Sequence, residues 1–142
     1  MMKLKVLLVL TAFVFSGCAI EIEEIEYGHD TCSYCTMMIM DKKHPSQIVT
    51  NKGKVFKYDS IECMIRDKRT MDEESIALQK VMDFKTGEFV DAHSASFLIS
   101  LNLPSPMGAN LSAFGSKSDA EQVRSEKKGE MFTWESIQKS IN

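Results

Sequence analysis

Two stretches of this chain can be laid over one another, and this internal similarity limits the folds that are open to it. Residues 52–65 align with residues 128–141, and six of the fourteen paired positions are identical. Near the start of each copy a glycine, Gly53 or Gly129, precedes an apolar and aromatic run, which is typical of a tight turn and a short strand. The repeat therefore predicts two related strand-helix units in one pseudo-duplicated domain.

Residues that favour helix starts follow both predicted strands. Asp59 and Ser60 in the first copy and Thr133 in the second can cap a helix by accepting a backbone N–H. The rest of the pattern predicts strands at 78–84, 88–92, 95–101 and 111–114, and a helix over 118–127 started by Ser118 or Asp119. These elements indicate an α+β fold class, with pseudo-duplicated strand-strand-helix units around small mixed or antiparallel sheets.

Length and charge narrow the class of protein further. The 142 residues are enough for one ordinary domain, and 44% apolar with 26% charged residues is typical of a globular chain. From Cys18 onward 15 basic residues face 20 acidic ones, a net charge of about −5. We therefore predict no nucleic-acid partner, since such a partner favours a basic stripe.

The amino terminus has the pattern of a targeting segment. Lys3 and Lys5 precede an apolar run at 6–15, which is too short to span a bilayer, and small residues then lead to Cys18. We predict a lipoprotein signal peptide at 1–17 and a lipid on Cys18 that anchors the protein to a membrane; an ordinary secretory signal is the alternative. Residues 18–29 are interpreted as a tether, or as an edge strand, and residues 30–142 as a single domain.

Sulfur carries the chemistry of the predicted domain. Cys32, Cys35 and Met37 place two thiols and a thioether within one short segment. A Cys-x-x-Cys turn can bring both sulfurs onto one ion, and soft thiolate and thioether donors favour Cu(I) over hard cations. The segment is therefore a candidate Cu(I) site.

Three other interpretations of the cysteine pair stay open. A structural zinc site needs four ligands, which Cys63 and a histidine could complete; the candidates are His29, His44 and His93. A thiol redox protein would place the pair between a strand and a long helix, yet Pro45 follows closely. A plain disulfide closing so small a loop would stabilise the fold little.

The ten methionines divide between packing and a second candidate donor. Met107 follows Pro104 and Pro106 and precedes Gly108, so it lies in a fixed loop, where a core methionine is least expected. We predict a thioether ligand there, converging on Cys35. Ordinary core packing is predicted for four others, namely Met38, Met64, Met71 and Met82.

Several motifs in order resemble the NosL family. The lipobox before Cys18 is followed by residues 28–39 (GHDTCSYCTMMI), residues 53–64 (GKVFKYDSIECM) and residues 106–111 (PMGANL). Members of this family are copper-chaperone lipoproteins associated with nitrous-oxide reductase. The resemblance implies Cu(I) binding in the periplasm, delivery of copper towards that reductase or its assembly machinery, and a paired strand-strand-helix fold distantly similar to organomercurial lyase.

The resemblance also implies a ligand set. The copper ligands would be Cys35, Met37 and Met107, with Cys32 close behind, while Thr36 stands where the family pattern often has glycine. Cys63 and His93 form a second tier, and a second metal ion could share the site. For Cys63 the alternative is a buried core thiol, for His93 a turn residue, and His29 and His44 are expected at the surface.

Two function classes follow from these residues. A metal carrier needs a few soft, accessible ligands and no turnover, and it is the class we favour. An enzyme, either a thiol oxidoreductase or an organometal lyase, would need a proton donor such as Asp30 or Asp59, whose spacing does not require that role. No Ser-His-Asp order, nucleotide loop or metalloprotease helix is evident. We therefore predict a lipid-anchored carrier on the periplasmic side of the cell envelope, and not an enzyme.

Overall fold

The computed structural model describes Gly17 and residues 19–142. The predicted signal peptide, apart from Gly17, and the predicted lipidation residue Cys18 lie outside the described residues. No helix among the described residues is long and apolar enough to cross a membrane.

The first half of the domain is a four-stranded antiparallel sheet with one helix. Its strands run in the order β2-β1-β3-β4, and helix α1 follows β2. The elements are β1 (Ser46–Thr50), β2 (Val55–Tyr58), α1 (Ile61–Lys68), a single 3-10 turn at Glu73–Ser75, β3 (Ile76–Met82) and β4 (Phe89–Asp91).

The second half is a three-stranded antiparallel sheet with two helices. Its strands run in the order β6-β5-β7. The elements are β5 (Ser96–Ile99), β6 (Leu111–Phe114), α2 (Lys117–Lys127), β7 (Glu130–Thr133) and α3 (Trp134–Ser140). The predicted strand at 111–114 is matched to the residue. The predicted start of α2 is wrong, because Ser116 is the N-cap and accepts from the backbone of Asp119.

The two halves repeat one topology. In each, a central strand (β1 or β5) pairs first with the next strand (β2 or β6), a helix follows (α1 or α2), and the next strand (β3 or β7) pairs on the other side. The pseudo-duplicated α+β fold is thus confirmed. The sequence repeat, however, aligns β2 with β7, which occupies the place of β3; the two aligned segments share local strand-cap-helix signals and not a topological position.

The local signals of the repeat are nevertheless correct. Gly53 and Gly129 adopt positive φ angles of 78° and 112°, a conformation that glycine alone adopts without steric cost. The side chain of Ser60 accepts a backbone N–H at the start of α1, and that of Thr133 does so at the start of α3. These caps satisfy N–H groups that would otherwise lack partners.

One main core joins the two halves. Ile48, Tyr58 and Met64 of the first half pack in the same cluster as Phe97 and Trp134 of the second. Each such side chain contributes about 1.5–3 kcal/mol through burial. The sheets are also linked directly by a bridge between residues 83 and 113. The shared core therefore packs the two halves into one unit.

The segment before residue 30 contacts this unit. The backbone N–H of Glu23 donates to Gln47 at 3.1 Å, and the side chain of Gln47 donates back to the Glu23 carbonyl at 2.8 Å. Ile25 is buried. Neither a strand nor a helix forms over residues 19–29, so the chain is held to the sheet from residue 23 by side-chain contacts, and the exact domain boundary stays a prediction.

Candidate metal site

Three cysteines and one aspartate meet where the loop before β1 contacts the junction of β2 and α1. The ligand atoms of Cys32, Cys35, Asp59 and Cys63 all lie within 4.8 Å of one another. This is the distance range in which one metal ion can bridge several donors. The sequence pattern identified Cys32 and Cys35 as ligands and placed Cys63 in a second tier.

The Cys-x-x-Cys segment is a tight loop closed by its own backbone. Cys32 donates its N–H to the carbonyl of Met37 at 2.8 Å, and Thr36 donates back to the carbonyl of Cys32 at 3.0 Å. Thr36 has a φ of 64°, in the left-handed region that costs a non-glycine residue about 1–2 kcal/mol. This explains why glycine suits the position; in this chain threonine adopts the left-handed conformation instead.

The start of α1 supplies the other two groups. Asp59 directly follows β2, and Ser60 caps the helix by accepting the N–H of Cys63 at 3.3 Å. Cys63 therefore lies in the first turn of the helix, where the macrodipole favours negative charge. Because only two residues connect β2 to α1, the positions of Asp59 and Cys63 are fixed relative to the sheet.

The cluster is buried on all but one side. Cys32 and Cys63 are 2% and 0% exposed, and Asp59 is also buried, whereas Cys35 is only partly buried. Cys35 contacts Asp59 through a sulfur-to-Oδ2 distance of 3.6 Å. A metal ion, or a partner that takes the ion away, would therefore reach the cluster at Cys35.

The thiols of the cluster share protons unequally. Hydrogen bonding from Cys63 lowers the pKa of Cys32 to about 6, helped by backbone N–H groups of Cys35, Asp59 and Tyr34. The same contact raises the pKa of Cys63 well above its usual range. Burial raises the pKa of Cys35. Cys32 is therefore the thiol of the cluster that ionises most readily, and the thiolate is the metal-binding form.

The chemistry of the donor set fits a cation. Oδ1 of Asp59 is buried and has no hydrogen-bond partner among the described residues. A buried carboxylate oxygen without a partner is costly, and a metal ion in the cluster would supply the missing partner. The sequence nominates Asp59 as a helix cap and as a proton donor but not as a ligand; its position between a strand and a helix N-cap is the signal that could have revealed it.

The methionines lie at different depths from those expected. Met37 is 55% exposed, and Met107 is partly buried against the core that contains Cys32 and Cys63. Met38 is 52% exposed, so its predicted place in the core is wrong. Its backbone forms an isolated antiparallel bridge with Thr31. The other core assignments are confirmed, with Met64 and Met82 buried and Met71 packed against the core.

Two of the histidines lie at the surface. His29 is exposed, as predicted. His93 is also exposed, and its ring contacts Asp91 at 3.3 Å and lies against Trp134 at 6.2 Å between centroids. Neither belongs to the cysteine cluster.

The surface position predicted for His44 is wrong. His44 is 3% exposed and bonds Asp41 at 2.9 Å and Ser112 at 3.2 Å. A Ser-His-Asp order that the sequence does not reveal therefore exists in the fold. Ser112 is fully buried, so no substrate can reach its hydroxyl, and the arrangement holds the turn before β1 against β6.

The structure weighs against the other interpretations of the cysteine pair. A zinc site completed by histidine lacks that histidine, because the group that joins the three cysteines is Asp59. Cys32, Cys35 and Cys63 are free thiols, so none of these three forms a disulfide. The pair lies in a loop and not at the start of a long helix, unlike the arrangement expected of a thioredoxin-like protein.

Comparisons with known proteins agree with this fold. The fold and the cysteine cluster define a small α+β protein with a thiol-rich site, and the NosL family model matches residues 24–142. The chain therefore belongs to the NosL family. The copper-binding lipoprotein NosL of Stutzerimonas stutzeri is 27% identical over 155 aligned positions, which cover 95% of this chain and 80% of the relative.

A solved structure shares the architecture. The crystal structure of the copper chaperone NosL from Shewanella denitrificans matches with a TM-score of 0.66 and 21% identity. The match covers 82% of this chain and 95% of that chain. This likeness confirms the α+β fold with its two small antiparallel sheets.

Proposed function

We propose that this protein is a Cu(I) carrier, anchored by lipid on the periplasmic side of a membrane, that delivers copper for the maturation of nitrous-oxide reductase. The observation that carries the proposal is the cluster of Cys32, Cys35, Asp59 and Cys63 within 4.8 Å. The names of the two relatives, a copper-binding lipoprotein and a copper chaperone, support the same cargo.

The donor set favours Cu(I). Thiolates are soft ligands that select Cu(I), and thioethers are soft ligands that would add to that preference. Met37 is exposed beside Cys35 in sequence, and Met107 packs against the core that contains Cys32 and Cys63. We infer that Cys32 and Cys35 bind the ion, that Met37 and Met107 supply thioethers, and that Cys63 with Asp59 closes the inner side.

The geometry suits a carrier better than an enzyme. A carrier must release its ion, and Cys35 gives the cluster one open side. A thiol oxidoreductase would attack its substrate with the more acidic thiol, which here is Cys32. Because Cys32 is 2% exposed, a protein disulfide cannot reach it. We therefore propose no catalytic residues.

The location follows from the amino terminus. The relative from Stutzerimonas stutzeri is a lipoprotein, and Cys18 follows Ser16 and Gly17 as in a lipobox. The contacts of Glu23 with Gln47 begin five residues after Cys18. A lipid on Cys18 would thus hold the domain close to the membrane surface, with residues 19–22 as a short tether.

An anaerobic Cu(I) titration tests the carrier function. Reduced protein comprising residues 19–142 is titrated against a chromophoric competitor, with Zn(II) in parallel. We expect tight, near-stoichiometric Cu(I) binding, weak zinc binding and a loss of several orders of magnitude in Cys35→Ser, because the substitution removes a soft ligand. A stoichiometry of two would reveal a second metal ion. The matched control is His93→Ala, which removes a ring that lies outside the cluster. This variant should bind Cu(I) as tightly as the wild type.

The same experiment separates the alternatives. Tight zinc with weak copper would favour a structural zinc site, and no metal binding together with a reversible Cys32–Cys35 disulfide would favour a thiol redox protein. Delivery is tested by mixing the Cu(I)-loaded protein with copper-free nitrous-oxide reductase. Copper found in the reductase after separation supports that client, and copper retained on the carrier contradicts it.

A further inference from the structure

Glu62 places a carboxylate in the core without a cationic partner. Its side chain is 0% exposed, and no lysine, arginine or histidine pairs with it in the part of the chain that the structure describes. Oε2 is buried with no hydrogen-bond partner there. Burial of such a group is unfavourable, and the hydrogen bonds that it makes to described residues all go to Oε1.

Those contacts hold one loop. Oε1 accepts the hydroxyl of Ser105 at 2.6 Å and the backbone N–H of Ala109 at 3.3 Å. The Ser105 hydroxyl in turn accepts the N–H of Leu111 at 3.4 Å, at the start of β6. The two anchored residues lie on either side of Met107, two positions before it and two after it.

Apart from the contacts of Glu62, the anchored loop is held near its start by the buried side chain of Leu103. It connects β5 to β6, and its prolines and Gly108 are exposed, whereas Ser105 is buried. Gly108 has a φ of 80° and donates to the Ser105 carbonyl at 3.0 Å, which makes a tight turn around Met107. The Met107 side chain packs inward on the main core.

We propose that Glu62 is a positioning residue that holds the Met107 thioether against the metal cluster. This inference rests on the proposed Cu(I)-carrying function. Glu62 precedes Cys63 in the first turn of α1, so one helical turn would carry both a cluster sulfur and the anchor of the opposite loop. The Cys side and the Met side of the site would then be fixed relative to each other by a single side chain.

Substitutions at Glu62 separate positioning from charge. Glu62→Ala removes the acceptor of Ser105 and Ala109, and we expect the Cu(I) affinity to fall about tenfold or more, as for other groups that orient metal ligands. Glu62→Gln retains an oxygen acceptor and should restore near wild-type affinity. A Cu(I) affinity of Glu62→Gln as low as that of Glu62→Ala would show that the negative charge is what matters, and it would overturn the positioning role.

A second pair of variants guards against misfolding of Glu62→Ala. Ser105→Ala removes the closest contact of Glu62 from the loop side and should also weaken Cu(I) binding. Ser100→Ala is the matched control: Ser100 is a buried serine at the other end of the same loop, and it donates to the carbonyl of Lys127 at 2.8 Å and not to Glu62. Its affinity for Cu(I) should stay at the wild-type value.

The role of Met107 is tested in a double-mutant cycle. In a Met107→Leu background, neither Glu62→Ala nor Ser105→Ala should weaken Cu(I) binding further, because the thioether that they position is gone. Methyl-labelled methionine NMR gives an independent readout: the Met107 methyl signal should shift on Cu(I) addition in wild type and shift less in Ser105→Ala.

The outcomes keep the two proposals distinct. Absence of Cu(I) binding by the wild type would overturn the proposed function, and this inference with it. Tight wild-type binding with no effect of Met107→Leu, or with Ser105→Ala and Glu62→Ala unchanged, would overturn the positioning role alone. Equal losses from Glu62→Ala with and without Met107 would also overturn it.

Discussion

The pKa values of Cys32 and Cys63 shift in opposite directions, and this difference prepares the cluster for a cation. The pKa of Cys32 is lowered to about 6 and that of Cys63 is raised, so Cys32 loses its proton more readily than an ordinary thiol does. Its charge is stabilised by hydrogen bonds from Cys63 and from backbone N–H groups. The free protein therefore binds a metal ion with less proton release than three neutral thiols would require.

The stability of the metal-free protein should depend on pH through Cys32. Its folded pKa of about 6 lies below the ordinary thiol value of 9.0, so the unfolded chain binds more protons in that window. The free energy of unfolding should rise from pH 6 to pH 9 and fall as pH drops through 6. Urea denaturation under reducing conditions measures it. Cys32→Ser should lose this slope; an unchanged slope in that variant would contradict the assignment.

At the scale of elements, the strand-helix junction of β2 and α1 builds the site. It contributes Asp59 and Cys63 to the cluster and Glu62 to the opposite loop, and all three depend on where α1 begins. The Ser60 cap fixes that start by accepting the N–H of Cys63. The second copy of the sequence repeat has the same cap-helix signal at Thr133, but Lys139 stands at the position of Cys63, so that helix carries no thiol.

The two caps provide a matched test. Ser60→Ala and Thr133→Ala should each lower the free energy of unfolding by about 1 kcal/mol, the usual value of an N-cap. Only Ser60→Ala should weaken Cu(I) binding, because it loosens the helical turn that holds Cys63. Chemical denaturation and the competition titration measure the two effects. Equal losses of Cu(I) affinity in both variants would show that the site responds to global stability and not to the cap.

Element-scale signals explain what the sequence could and could not predict. The caps, glycine turns and most strands depend on neighbouring residues, and these predictions are confirmed within a few positions. The sequence repeat aligns β2 with β7, but these strands do not occupy equivalent places in the two sheets. β7 pairs with β5 in the place where β3 pairs with β1. Strand order depends on tertiary packing, which a local sequence pattern does not record. Asp59 was missed as a cluster member for the same reason, since its proximity to Cys35 spans 24 positions of sequence.

At the scale of the whole molecule, the two sheets are joined by packing and by one buried polar chain. The main core draws on both halves, and His44 links the turn before β1 to Ser112 of β6. No local pattern marks His44 as buried, because its partner Ser112 is 68 positions away. The predicted surface position of His44 is wrong because of this long-range contact.

His44→Ala should lower the stability of the domain and leave the metal site intact. Removing a buried ring that bonds both Asp41 and Ser112 leaves polar atoms without partners, at a cost of about 1–3 kcal/mol. Chemical denaturation measures this loss, and His29→Ala, an exposed ring, is the control. The Cu(I) stoichiometry should stay unchanged under conditions where the variant is folded. A variant that loses copper while folded would make His44 part of the site.

X-ray absorption at the copper edge of the Cu(I)-loaded wild type tests the central claim most directly. The account predicts an oxidation state of Cu(I) and a first shell dominated by sulfur, with one sulfur fewer in Cys35→Ser. A first shell of nitrogen and oxygen, or a shell unchanged in Cys35→Ser, would contradict the assignment of the cysteine cluster as the copper site.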